Sequence, residues 1–218
     1  MERKLITTGD GSKTLFVPEL NEHYHSTHGA LAEARHVFIK NGLIRSGRNP
    51  ISILEIGLGT GLNALLTCIE AEKLKIKTKY FTIEKYPVSL NEAQNMGYVE
   101  MIGEGEAAFA DMHNADWEVP VVISPHFTLN KIKADIEGLV LSEPIDVIYF
   151  DAFAPEKQPK MWEPQVFDYL FKNLTSGGFL TTYCAKGVVK RTLKSLGFIV
   201  EGVPGPPGKR EMIIATKP

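Results

Sequence analysis

The sequence predicts an α/β fold: a mostly parallel sheet with helices packed between its strands. Three observations predict it. Short apolar runs alternate with helical patterns from Ile51 onward, the order that builds a parallel sheet. The first of these runs turns through three alternate glycines, Gly57, Gly59 and Gly61, directly into a helical pattern. The last two runs are joined only by Pro204-Gly205-Pro206-Pro207-Gly208, which predicts an antiparallel hairpin at the end of the sheet.

Seven strands follow from the apolar runs: Ile51–Ile56, Lys79–Glu84, Phe127–Ala134, Ile145–Asp151, Gly178–Tyr183, Phe198–Val203 and Glu211–Thr216. Helical periodicity marks Leu62–Glu72, Val88–Met96, Pro164–Leu174 and Val188–Leu196. Asn173 to Gly178 has the composition of a helix end and a turn into the next strand. Two regions depart from the alternation. Residues 1–50 form a small α+β extension, with a turn at Thr8–Ser12 between two short strands and a helix over Leu31–Ile39. Residues 97–126 are an insertion before the third strand. The whole is predicted to be one domain of 218 residues, with its core in 51–218.

Composition narrows the class. Hydrophobic content of 44% and charged content of 23% are ordinary for a soluble globular protein. No apolar run is long enough for a membrane span, and the N-terminus has no signal-peptide pattern, so a cytoplasmic protein is expected. Cys68 and Cys184 lie in apolar runs and are expected as buried thiols in a reducing compartment. A net charge of −2 gives no global pull toward nucleic acid, so any such binding must come from a local patch.

A strand that turns through glycines into a helix presents bare backbone N–H groups and a positive helix end to a ligand. The spacing here is G-x-G-x-G, with Leu62 where a dinucleotide fold would place its third glycine. No Lys-Ser or Lys-Thr pair follows, which argues against a P-loop. Glu84 ends the second strand, where an acid can accept hydrogen bonds from both ribose hydroxyls. Asp135 ends the third strand pattern and Asp151 the fourth, so the glycine turn and three acids are predicted along one line of strand ends. A tight turn without a ligand is the plain alternative for the glycines, as a solvated loop acid is for Asp135. Asp151 stands at a strand mouth just before Phe153 and Pro155. A carboxylate there can orient an amine and take its proton as a bond forms. Phe153 suits stacking on a base or cofactor, and equally the edge of the core.

The E-x-G-x-G-x-G run that begins at Glu55, together with Glu84, resembles the cofactor site of Rossmann-like methyltransferases that use S-adenosylmethionine. Seven strands with a terminal hairpin are also their layout. Asp151-Ala152-Phe153-Ala154-Pro155, with Pro159, Met161 and Trp162, resembles the signature block of the MnmC-type tRNA methyltransferases. Gly205 and Lys209-Arg210-Glu211-Met212 resemble the end of that domain, and Tyr24, Ser26, Gly29, Glu33, Val37 and Phe38 its N-terminal segment.

The resemblance implies methyl transfer from S-adenosylmethionine to the primary amine of 5-aminomethyl-2-thiouridine at the tRNA wobble position. It implies that Glu55, Gly57, Gly59 and Gly61 line the cofactor, that Glu84 holds its ribose and Asp135 its adenine, and that Asp151 faces the aminomethyl group. The bifunctional members carry a flavin oxidase domain that first removes a carboxymethyl group. This chain ends at Pro218, so it resembles the stand-alone, MnmD-like form. No FAD is then expected, other enzymes would supply the aminomethyl substrate, and a carboxymethylaminomethyl nucleoside should not react.

Lys209 and Arg210, on a Gly/Pro loop, are candidate contacts to tRNA. Lys186, Lys190 and Lys194 share a helical face, and Lys157 and Lys160 flank the Asp151 segment; both groups also fit an ordinary solvated surface. His23, His25 and His28 match no standard zinc spacing, so no metal is expected. Tyr24 and Ser26 suit either a cover over the cofactor or simple turn packing. Two other functions share the cofactor loop: methylation of a small-molecule amine, and nucleotide binding without catalysis.

Overall fold

A computed structural model describes residues 2–7, 13–19, 21–24 and 29–218. Eight strands form the main sheet in the order β10-β11-β9-β8-β4-β5-β7-β6. They are β4 (Ile51–Ile56), β5 (Thr78–Ile83), β6 (Pro120–Ser124), β7 (Phe127–Ile132), β8 (Ile145–Phe150), β9 (Leu174–Thr182), β10 (Ile199–Pro204) and β11 (Glu211–Thr216). The five strands β9, β8, β4, β5 and β7 run parallel, and β11, β10 and β6 are antiparallel to their neighbours. A small antiparallel sheet of β1 (Lys4–Thr7), β2 (Lys13–Val17) and β3 (Glu22–His23) precedes it. The turn expected at Thr8–Ser12 lies outside the described residues.

The parallel strands are apolar on both faces because helices cover both. Ile51 and Ile53 of β4 pack into one core with the helix Leu62–Leu74, while Leu54 and Ile56 pack into the other with the helix Pro164–Asn173. No helix among the described residues is long and apolar enough to cross a membrane.

The sheet has eight strands rather than the seven expected, and the added one comes from the 97–126 insertion. After two short helices, Tyr98–Ile102 and Glu106–Asn114, β6 pairs with β7 through a turn at Pro125-His126. This edge strand begins with proline, leaves Val122 73% exposed and packs only the half-buried Ile123 against the core, so its apolar signal is weak, and its turn holds no glycine. The insertion supports the glycine turn from behind. The Tyr98 hydroxyl lies 2.9 Å from Thr60 Oγ1, and His113 Nε2 lies 3.3 Å from the Thr60 carbonyl oxygen.

Two other boundaries moved. The N-terminal helix begins at Ala30–Ala34 and continues as a π-helix over Arg35–Ile44, where Gly42 lets Tyr149 pack against the backbone. The turn predicted before Gly178 is instead a bulge inside β9, since Ile145 pairs with Leu174 but Val147 with Phe179.

Candidate active site

Strand register assembles the site. Ile56 pairs with Ile83 on one side and with Phe150 on the other, so Gly57, Glu84 and Asp151 leave the sheet at one level. Ile83 pairs in turn with Ile132, which brings Asp135 to the same edge. The chain passes from β4 through β5 to β7 on one side and returns to β8 on the other. That reversal opens the crevice in which open α/β sheets bind ligands.

A cleft of about 120 Å³, open to solvent, occupies this crevice. Its lining includes the turn Gly57-Leu58-Gly59-Thr60, together with Glu84, Asp135, Asp151, Phe153 and Tyr24. At Gly59, φ is 52°, and an added Cβ would lie 3.1 Å from the Tyr24 ring. Both backbone and neighbour therefore require glycine. Glu84 holds the turn in place, accepting from the Gly59 N–H at 3.0 Å and the Tyr86 N–H at 2.7 Å. Asp135 caps the short helix Ile136–Gly138 through the Ile136 N–H at 2.7 Å and pairs with Lys85 at 2.6 Å. The Lys85 ammonium holds the Asp135 carboxyl below its ordinary range.

Asp151 follows β8 and is fixed from two directions. Its Oδ2 accepts from Asn63 Nδ2 at 2.8 Å. The loop beyond it is pinned by Tyr183, whose hydroxyl donates to the Ala152 carbonyl at 2.9 Å, and by Trp162 Nε1 donating to the Phe153 carbonyl at 2.8 Å. Burial pushes the Asp151 carboxyl up to about 7; the nearby Glu33 carboxylate adds to this, while Asn63 and Lys209 oppose it. A carboxyl poised there changes protonation state in the neutral range, which suits it to accept a proton.

A second cavity of about 250 Å³ lies on the other side of Asp151. Asn63, Ala152, Phe153 and Tyr24 border both cavities, while Glu22, Glu33, Tyr183 and Lys209 belong to the second alone. Phe153 meets Tyr24 edge-on, with ring centroids 5.2 Å apart. The two rings thus stand where the two spaces join.

The predicted residues therefore divide. Gly57, Gly59, Glu84, Asp135, Asp151 and Phe153 share the first cleft. Gly61 sits just beyond its lining, as the N-cap of the helix Leu62–Leu74. An added Cβ at Gly61 would lie 2.9 Å from His113 Nε2, so its place is structural. Glu55 points away into the core on the face of Ile51 and Ile53, with no exposed surface. There it accepts from Asn63 Nδ2 at 3.0 Å and Thr82 Oγ1 at 3.1 Å, and burial drives its carboxyl well above the ordinary range. Asn63, which the sequence did not single out, bridges Glu55 to Asp151 by donating to both carboxylates, and the Asp151 charge adds to the upward shift of Glu55. Lys209 turns inward to pair with Glu33, whereas Arg210 is exposed. Lys186 pairs with Glu156 and Lys190 with Glu211, so two of the three lysines on that helical face are engaged by the protein's own acids. Ser26, His25 and His28 lie outside the described residues, as does the side chain of His23.

Residues 121–218 match a family described as S-adenosyl-L-methionine-dependent methyltransferase. A tRNA 5-methylaminomethyl-2-thiouridine biosynthesis bifunctional protein MnmC from Ralstonia nicotianae is 33% identical over 220 residues, covering 94% of this chain and 33% of the relative. By the family match, the C-terminal part of the chain is similar to S-adenosyl-L-methionine-dependent methyltransferases. An MnmC protein from Leptospira interrogans is 31% identical, covering 91% of this chain and 33% of that protein. The chain thus spans about a third of the length of these curated relatives. In fold, it is similar to the crystal structure of MNMC2 from Aquifex aeolicus, with a TM-score of 0.77 at 24% identity, covering 100% of this chain and 72% of that one. Streptomyces venezuelae DesVI is more distant, with a TM-score of 0.51 at 11% identity and coverage of 86% and 92%.

S-adenosylmethionine is the cofactor of this methyltransferase, and the first cleft fits it. Gly57, Gly59, Glu84 and Asp135 border the cleft from adjacent strand ends.

Proposed function

We propose that this methyltransferase transfers a methyl group to the primary amine of 5-aminomethyl-2-thiouridine at the tRNA wobble position. The observation that carries this reading is the shared wall: Asp151 borders both the cofactor cleft and a second cavity large enough for a nucleobase. Glu84 is assigned to the ribose hydroxyls of the cofactor, Asp135 to its adenine, and Phe153 to the acceptor base.

When bound, S-adenosylmethionine supplies an electrophilic methyl carbon on its sulfonium. The protein must present a nitrogen lone pair to that carbon. An alkylamine has a pKa of about 10, by analogy with lysine, so nearly all of it is protonated at neutral pH. Asp151 is placed to orient the nitrogen and to take one proton from the ammonium, which frees the lone pair before the N–C bond forms and the S–C bond breaks. The names of the curated relatives favour a tRNA acceptor over a free polyamine-type amine.

The decisive assay incubates the protein with S-adenosylmethionine and tRNA bearing 5-aminomethyl-2-thiouridine, then digests the tRNA for mass spectrometry. The expected product is the methylaminomethyl nucleoside. Methylation of spermidine with untouched tRNA would replace this reading by the small-amine one.

Arg210 is the exposed member of the basic pair and is assigned to a tRNA phosphate. Arg210→Ala should raise KM for tRNA severalfold and lower the log–log salt slope of binding by about one. An unchanged slope would remove Arg210 from the interface.

A further inference from the structure

The second cavity holds a cation of the protein's own. Lys209 reaches across from the loop before β11 to the Glu33 carboxylate on the helix Ala30–Ala34. Its Nζ stands 3.9 Å from the centroid of the Tyr183 ring. That ring is held in place by the hydroxyl bond to Ala152. The Glu33 side chain keeps only 14% of its exposure, so its charge is largely withdrawn from water and needs a partner. A carboxylate and an aromatic face around one position form a recognised binding arrangement for an alkylammonium group.

The remaining polar lining has the same character. Glu22 and Asp151 add two further acids, and Lys209 is the single basic residue among the described residues of the cavity wall. Asn63 also lines the space, and its buried Oδ1 has no hydrogen-bond partner among the described residues. The described wall is therefore rich in acceptors and acids, and Lys209 is already engaged by Glu33.

We propose that Glu33 and the face of Tyr183 form the receptor for the acceptor's ammonium group, a position that Lys209 fills in the acceptor-free protein and yields when substrate arrives. This rests on the proposed methylation of an aminomethyl nucleoside. The receptor captures the protonated amine, the abundant form in solution, beside the carboxyl that then takes its proton. One ammonium replaces another, so the ion pair at Glu33 is kept through the exchange. An acceptor with a hydroxymethyl group lacks the cation. One with a carboxymethylaminomethyl group brings a carboxylate toward Glu22 and Glu33, and both are discriminated against.

The test is calorimetric titration of the protein, saturated with S-adenosylhomocysteine, with 5-aminomethyluridine and separately with 5-hydroxymethyluridine. The wild type should bind the amine about tenfold more tightly or better, the scale of a charge-assisted hydrogen bond. Glu33→Gln should bring the two affinities together without altering the affinity for S-adenosylhomocysteine. Lys209→Met, which keeps the stem and removes the charge, should strengthen amine binding severalfold. A wild type without preference for the amine, or a Glu33→Gln protein that keeps it, overturns the receptor. So does weaker amine binding in Lys209→Met, which also decides the matter if Glu33→Gln does not fold. A wild type that methylates aminomethyl tRNA while failing these tests refutes the receptor alone; one that leaves that tRNA unmethylated refutes the underlying reading.

Discussion

Asp151→Asn is expected to slow methyl transfer by about 100-fold or more while leaving the affinity for S-adenosylmethionine nearly unchanged. Asparagine keeps the shape, and its side-chain oxygen can still accept from Asn63 Nδ2. The lost property is the capacity to take a proton. The wild type should also show an acid limb in kcat/KM near pH 7, where burial has placed this carboxyl, and that limb should be missing in the variant. Stability should move in the opposite direction. The folded protein holds the Asp151 proton more tightly than the unfolded chain does, so wild-type stability declines as pH rises from about 4 to about 7. Asparagine has no such dependence. The variant should therefore gain up to a few kcal/mol relative to wild type at pH 8 and lose that gain at pH 4, as measured by denaturant midpoints. Equal turnover in both proteins would remove Asp151 from the chemistry.

Much of this arrangement was legible in the sequence because the site follows from strand ends. A parallel strand buried on both faces must be a short apolar run, and the residue after it emerges at the ligand-binding edge. Gly57, Glu84 and Asp151 each stand directly after such a run, so their place at strand ends could be expected from the sequence, while their convergence needed the strand order and register. Glu55 carried a usable signal that was missed. Counting by twos from Ile51 and Ile53 puts it on their core face, away from the cleft. β6 gave only a weak signal, being an exposed edge with a proline start and a glycine-free turn.

The second cavity was illegible for a different reason. Glu33 and Lys209 meet across 176 positions of sequence, and neither belongs to a spacing pattern that announces the other. Lys209 and Arg210 are adjacent and of like charge, yet one enters a cavity and the other faces water. Residue type alone cannot separate them. Asn63 was hidden for a similar reason. It stands second in a helix whose apolar neighbours account for its burial, and its amide matters only because strand register brings Glu55 and Asp151 to either side of it.

Glu84→Ala should weaken binding of S-adenosylmethionine by about 100-fold, with little effect on the fold. The carboxylate has two tasks that fail together. Its oxygens accept from the Gly59 and Tyr86 N–H groups, which fixes the glycine turn at a backbone angle that few other residues adopt. A carboxylate has about four acceptor positions, and these two bonds leave capacity for a pair of ribose hydroxyls. Hydrogen bonds to a charged group are each worth about 1.5–3 kcal/mol, so loss of the ribose pair alone reaches the stated magnitude. Glu84→Gln separates the two tasks. Its oxygen can keep one backbone N–H, but its NH2 group faces the other N–H as a second donor. Binding should therefore fall in Gln as well, by about tenfold or more, even though size and burial are conserved. Calorimetry with S-adenosylmethionine measures both variants. If the Kd of Glu84→Ala matches wild type, the cofactor does not lie over this strand end and the assignment of the first cleft fails with it.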